Sequence, residues 1–209
     1  EGWCNDIKSL TKIIISPSNG QFKFIDDKYL IGKSYPNKDE FDTLLFASRD
    51  IKEISIPSNI KIISPYAFAN CINLSKVEFE ANSNLQIIGS YAFSSTNIKE
   101  IFIPSKVSII CEHAFSECQN LTTVEYEANS NLQTIESYAF SISNITGIFI
   151  PSKVSKIQED AFVFCDCLQI IEISEESKLK SIPLCAFRLE LNRCPEVFVM
   201  IPSSLKKVS

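Results

Sequence analysis

The sequence predicts an α/β solenoid, a stack of short strands and turns, and three observations carry that prediction. Residues 51–97 and 98–144 agree at 30 of 47 positions without a gap, and a third copy starts at Ile145 and drifts after Ile173. Two markers recur in phase: Ile-Pro-Ser at 56–58, 103–105 and 150–152, and Ala-Phe at 67, 92, 114, 139, 161 and 186. Runs with apolar residues at alternate positions begin at Ile54, Val77, Ile101, Val124, Ile148 and Ile171, in steps of 23 and 24. Self-similarity at a fixed period means stacked units rather than a globule. It also moves the functional question from a pocket to a face of the stack.

Along the chain, "LTKIIIS" (10–16) reads as a strand. "FKFIDDKYLIG" and "TLLFAS" then read as a β-hairpin insertion, with Asp26-Asp27 as its turn. From residue 51 two unlike half-units alternate. One, "IKEIFIPSKVSIICEHAF" (98–115), is a strand stopped by Pro, a turn, and a short helical piece carrying Ala-Phe. The other, "CQNLTTVEYEANSNLQTIESYAF" (118–140), turns at Asn-Ser-Asn. Pro57, Pro104, Pro151 and Pro202 lack an N–H and end strand pairing. Asn and Ser suit tight turns because their side chains bond local backbone. A half-unit of 22–25 residues with an apolar-x-apolar strand is the leucine-rich-repeat signature. Residues 1–209 are expected to form one domain: an irregular unit at 1–50, regular repeats at 51–190, and a truncated last unit at 191–209.

The phrase "IPSKVSIICEHAFSECQNLTTVEYEANSNLQTIESYAF" (103–140) resembles the BspA-like leucine-rich repeats. Their units read roughly Ile-Pro-x-x-Val-x-x-Ile-x-x-x-Ala-Phe-x-x-Cys-x-x-Leu. The resemblance covers about residues 51–190 and implies a parallel sheet on the concave face, short helical or 3-10 turns on the convex face, and often a hairpin insertion.

A formal net charge of −5 argues against a nucleic-acid partner, which needs clustered Lys and Arg. The longest apolar runs are far shorter than the roughly 18 residues a membrane span takes. The chain starts at Glu1 and stops within a further unit, so it reads as a piece of a longer protein. Cys71, Cys118 and Cys165 share one repeat position and read as small buried groups. Cys4, Cys111, Cys167, Cys185 and Cys194 are irregular; a disulfide among Cys165, Cys167, Cys185 and Cys194 stays open, and the spacing is a poor match to a zinc site. Asn73, Asn120 and Asn144 head Asn-x-Ser/Thr tripeptides; Asn73 and Asn120 share one repeat position, where Asn could instead satisfy backbone in the turn. The one histidine, His113, stands where other units place Tyr66, Tyr91, Tyr138, Asp160 and Cys185, which suggests a partly exposed site beside a helical turn. No phosphate loop, metalloprotease or nucleophile-elbow motif occurs, so neither an enzyme nor a cofactor is expected.

The strands carry the candidate binding residues. If the alternate Ile, Val, Phe and Tyr side chains point inward, the residues between them face out. That outward column is Ser55, Glu78, Phe102, Glu125, Phe149 and Glu172, ending at Met200. Beside it run Glu53, Lys76, Glu100, Thr123, Gly147 and Ile170. Two readings fit the aromatic rungs: ordinary β-propensity, or a binding patch of exposed aromatics flanked by charge. The second makes Glu78, Phe102, Glu125, Phe149 and Glu172 the ligand-binding set. The family resemblance implies a microbial surface or secreted adhesin that holds protein or glycan partners on host or neighbouring cells. An intracellular leucine-rich-repeat scaffold is the alternative, and open solenoid ends invite self-association in either case.

Overall fold

A computed structural model describes residues 7, 9–188 and 197–208. Its N-terminal part is an antiparallel meander of β1 (Phe22–Ile25), β2 (Tyr29–Gly32) and β3 (Thr43–Ala47). Asp26 and Asp27 both adopt left-handed φ, 50° and 52°, and the Lys28 N–H closes the turn on the Ile25 carbonyl at 2.8 Å. Two consecutive left-handed residues make the type I′ turn whose twist matches a hairpin.

Two strand families follow. The four-residue strands are β4 (Glu53–Ile56), β6 (Lys76–Phe79), β8 (Glu100–Ile103), β10 (Thr123–Tyr126), β12 (Gly147–Ile150) and β14 (Ile170–Ile173). The two-residue strands are β5 (Ile62–Ile63), β7 (Ile87–Ile88), β9 (Ile109–Ile110), β11 (Thr134–Ile135), β13 (Lys156–Ile157) and β15 (Ser181–Ile182). β16 (Phe198–Met200) and β17 (Lys207–Val208) pair in parallel with β14 and β15. The two-residue strands from β5 to β13 form one unbroken parallel ladder that continues through β3 into the hairpin.

The four-residue strands are not one sheet. They pair as β4–β6, β8–β10 and β12–β14–β16. Strands separated by the 23-residue step pair, and those separated by the 24-residue step do not. The unpaired junctions, β6 to β8 and β10 to β12, follow the longer turns Glu80–Asn84 and Glu127–Asn131, in which Asn82 and Asn129 are left-handed.

Five of the six Ala-Phe turns, from Ala67 to Phe162, lack the expected helical turn, and the architecture is a β-solenoid rather than an α/β one. The described residues contain one 3-10 turn, Leu184–Phe187. The reason is local. The residue before each Ala-Phe (Tyr66, Tyr91, His113, Tyr138, Asp160) is left-handed, and so is the residue four further on (Asn70, Ser95, Glu117, Ile142, Phe164). Left-handed residues break a right-handed helix on both sides of the pair. The freed N–H groups bond to the next rung instead: the amides of Phe68, Phe93, Phe115, Phe140 and Phe162 donate to Ala92, Ala114, Ala139, Ala161 and Ala186 carbonyls at 2.7–2.8 Å. A turn ladder thus replaces intrahelical bonding and gives these buried amides their partners.

This ladder stacks the core. Phe68, Phe93, Phe115, Phe140, Phe162 and Phe187 form a column with neighbouring ring centroids 4.8–5.3 Å apart and planes within 6° of parallel. All but Phe187 are fully buried. The strand residues Ile54, Ile56, Ile101, Ile103, Ile148, Ile150, Ile171 and Ile173 close the other side of the same core.

"LTKIIIS" does not form the expected strand. Leu10, Ile13 and Ile15 instead lie over Leu30 and Phe46 as a small second cluster at the hairpin end. Among the described residues the Leu10 and Thr11 carbonyls accept from the Arg49 N–H and the Ser48 hydroxyl, and Lys12 lies 4.0 Å from Asp27, which does not amount to a strand ladder. The other hairpin tie is Asp42, whose side chain is 1% exposed. It accepts from the Ser34 N–H and hydroxyl at 2.8 and 2.9 Å and lies 3.6 Å from the Lys61 ammonium. Burial would raise its pKa, but the Ser34 bonds and the lysines hold it below the usual carboxylate value. A depressed folded pKa stabilises above the unfolded pKa and is lost as pH falls through the folded value. Asp42→Asn is therefore expected to cost about 2 kcal/mol at neutral pH and to flatten the acid limb of the stability curve, read by urea denaturation.

Candidate ligand-binding face

The candidate column is where the register puts it. Ser55 pairs with Glu78, Phe102 with Glu125, Phe149 with Glu172, and Glu172 with Met200. All are exposed, Phe102 at 49% and Phe149 at 41%, while their strand neighbours Ile101, Ile103, Ile148 and Ile150 are buried. Strict alternation on four-residue strands separates the surface residues from the core residues. The structure brings Phe102 beside Glu125 and Phe149 beside Glu172; the junction between β10 and β12 separates these two pairs.

The face has two chemical ends. Toward the hairpin it carries Glu53, Glu78, Glu100 and Glu125, with Lys76 held by Glu78 at 2.7 Å. Toward β16 it carries Phe149, Ile170, Phe198 and Met200, all exposed, around Glu172. The apolar end extends the set anticipated from the strands. Ile170 stood in the flanking column, which the sequence reading did not carry on to Phe198, its partner on β16.

Each unpaired junction opens a depression. Between β6 and β8 it measures about 430 Å³, with Val77 and Ile101 beneath and Glu78, Glu100, Phe102 and Glu125 around it. Between β10 and β12 it measures about 480 Å³ and is flanked by Phe149, Tyr126 and Glu127. Tyr126 replaces Phe79 of the preceding copy, and its hydroxyl is buried with no hydrogen-bond partner among the described residues. Burial pushes that phenol well above its usual pKa. Tyr126→Phe removes an unsatisfied polar group without changing shape, so we expect a gain of about 1–2 kcal/mol in denaturant unfolding.

The other candidates have structural places. Cys71, Cys118 and Cys165 are fully buried, in a column with Thr96 and Ser143. Cys118 and Cys165 donate to the Phe93 and Phe140 carbonyls at 3.1 Å, and burial pushes both thiols up to about 11. Cys111, Cys118, Cys165, Cys167 and Cys185 are free thiols; Cys4 and Cys194 lie outside the described residues. Among the described residues no group of three His, Cys, Asp or Glu side chains is placed to hold a metal.

His113 sits in a turn rather than beside a helix. It stacks between Tyr91 and Tyr138 at 4.4 and 4.7 Å, and burial lowers its pKa despite nearby Glu112 and Glu117. The Asn120 amide bonds Asn97 Oδ1 and the Asn144 amide bonds the Gln119 carbonyl, so both serve a rung-to-rung ladder.

Comparison with known proteins agrees with this architecture. A family model, the BspA type leucine rich repeat region, matches residues 39–169 and 86–209. No curated protein sequence matches. Among solved structures the chain is similar to the pneumococcal vaccine antigen PcpA, with TM-score 0.60 and 21% identity over 75% of this chain and 46% of that one. It is also similar to a leucine rich cell surface protein of Faecalibacterium prausnitzii, with TM-score 0.53 and 18% identity over 94% of this chain and 73% of that one. The chain thus spans under half the length of the PcpA structure. At these identities the two structures speak for the fold, while the family model covers most of the sequence: the chain belongs to the BspA-type leucine-rich-repeat family.

Proposed function

We propose that this chain is the ligand-binding repeat region of a microbial surface or secreted adhesin. Its role is binding rather than catalysis, and its partners are proteins or glycans of host cells, extracellular matrix or neighbouring cells. The ligand lies across the outward residues of the four-residue strands, with Glu78, Phe102, Glu125, Phe149 and Glu172 at its centre. The observation that carries this reading is the row itself: two large aromatics roughly half exposed, each in register with a glutamate, over a rigid ladder. Exposed apolar side chains rimmed by charge are the make-up of interaction patches, and repeat stacks present them on extended faces. The family membership, and a structural neighbour described as a cell surface protein, support the extracellular setting.

The test is binding of the chain and of its Phe102→Ala, Phe149→Ala double variant to epithelial cells and immobilised matrix proteins. At least a tenfold loss is expected, since each buried aromatic anchor is worth about 1–2 kcal/mol or more. Unchanged binding by a folded double variant would remove the face from consideration.

An intracellular protein-interaction scaffold is the second reading, favoured by the free thiols of Cys111, Cys118, Cys165, Cys167 and Cys185. Fractionating cells that express the full-length gene product separates the two. The same face serves as the binding surface in both.

A further inference from the structure

Resting on the reading of this face as a binding surface, we infer that the junction between β6 and β8 is a cation-recognition subsite. It seats a lysine or arginine side chain of an extended polypeptide partner on the Phe102 ring. Glu100 and Phe102 are two residues apart on β8 and therefore share its outward side, about 7 Å apart. Glu125 is the registered neighbour of Phe102 on β10, about 4.8 Å away. One aromatic face thus has a carboxylate along its own strand and another across the ladder. All three residues border the 430 Å³ depression over Val77 and Ile101.

Three neighbouring carboxylates are already committed. Glu78 binds Lys76 at 2.7 Å. Glu80 and Glu127 accept the Ser58 and Ser105 N–H groups at 2.9 and 2.7 Å. Glu100 and Glu125 make no ion pair or hydrogen bond among the described residues; Lys76, which lines the same depression, is bonded to Glu78 and feels Glu100 only at longer range, so both carboxylates keep their oxygens open to a ligand.

A ring bearing two available carboxylates attracts an organic cation through its quadrupole and through charge together. A divalent metal is a poorer occupant, because no three acidic groups among the described residues converge as ligands. An extended peptide is the occupant that fits the rest of the face. The subsite opens onto a row of strands whose far end is apolar, at Phe149, Ile170, Phe198 and Met200. A basic side chain at one end and apolar side chains two to three rungs away match that gradient.

The experiment presents the chain to a randomised linear peptide library. The best binder is then made again with each Lys or Arg replaced by norleucine. Selection should return a basic residue at a fixed position. Norleucine there should weaken binding to the wild type about tenfold, more at low salt than at high. The same replacement should cost clearly less, and lose its salt dependence, on Glu100→Gln, Glu125→Gln protein, which keeps the Phe102 ring and whose exposed substitutions leave the core intact. Equal binding of the norleucine peptide to the wild type overturns the inference, as does an undiminished penalty on the double Gln variant. Peptides that need Phe102 and Phe149 but ignore charge overturn the subsite while sparing the face. Peptides indifferent to Phe102→Ala with Phe149→Ala overturn the face itself, and a library with no binder above that variant's level overturns both.

Discussion

Replacing Phe115 with alanine is expected to cost about 3–5 kcal/mol and to lower the midpoint of thermal unfolding by roughly 10 °C. Phe115 is fully buried and stacks at 5.2 Å on both Phe93 and Phe140. Its own amide and its neighbour's carbonyl also belong to the turn ladder. The truncation leaves a hole that flanking rings cannot fill, because each is pinned by its own rung. In a repeat stack stability is close to a sum of unit and neighbour terms, so a central ring weakens two interfaces at once. Against a total of about 5–15 kcal/mol this is a large fraction. The sharpest readout is calorimetry, where the variant should also unfold over a broader range as the two halves lose their coupling. A midpoint within 2 °C of the wild type would mean that the phenylalanine column is not what holds the rungs together.

Alkaline pH should destabilise the fold through two buried thiols. Burial pushes Cys118 and Cys165 up to about 11. In the unfolded chain a thiol ionises nearer 9. The folded state therefore keeps protons that the unfolded state releases between about pH 9 and 11. Stability is fully present below that window and falls as pH rises through it. Two units per thiol set an upper value of about 5 kcal/mol for the pair. Thr96 and Ser143 occupy the equivalent place in the alternate units, so a hydroxyl fits there. Cys118→Ser with Cys165→Ser should fold and should lose much less stability between pH 9 and 10.5. Urea midpoints across that range measure it, and parallel curves for variant and wild type would show that these thiols do not drive the alkaline loss.

The strands were legible because their alternation is local. Ile101 and Ile103 inward with Phe102 outward follows from a period of two, and the burial pattern of β8 repeats it. The hairpin was legible from Asp26-Asp27 and the apolar runs on either side. The turn carrying Ala-Phe was not legible. Tyr, His and Asp before the pair carry no strong left-handed preference as a set, and Ile142 is β-branched, a poor residue for φ of 56°. Rung-to-rung hydrogen bonds impose that conformation, and a single repeat does not reveal them. "LTKIIIS" also departs from its pattern: its apolar residues suit a strand, but they are used to cover Leu30 and Phe46 at the hairpin end instead. The segmentation of the four-residue strands was present in the alternating steps of 23 and 24, although their meaning emerged only from the pairing.

In the proposed function one strand carries two separable jobs, with Ile101 building the core and Phe102 meeting the ligand. The most direct test compares Phe102→Ala with Ile101→Ala in denaturant unfolding without any ligand. The account predicts a loss under about 1 kcal/mol for Phe102→Ala and about 2–5 kcal/mol for Ile101→Ala. An equal loss for both would contradict it, because Phe102 would then be a packing residue of the fold and not a surface held out for a partner.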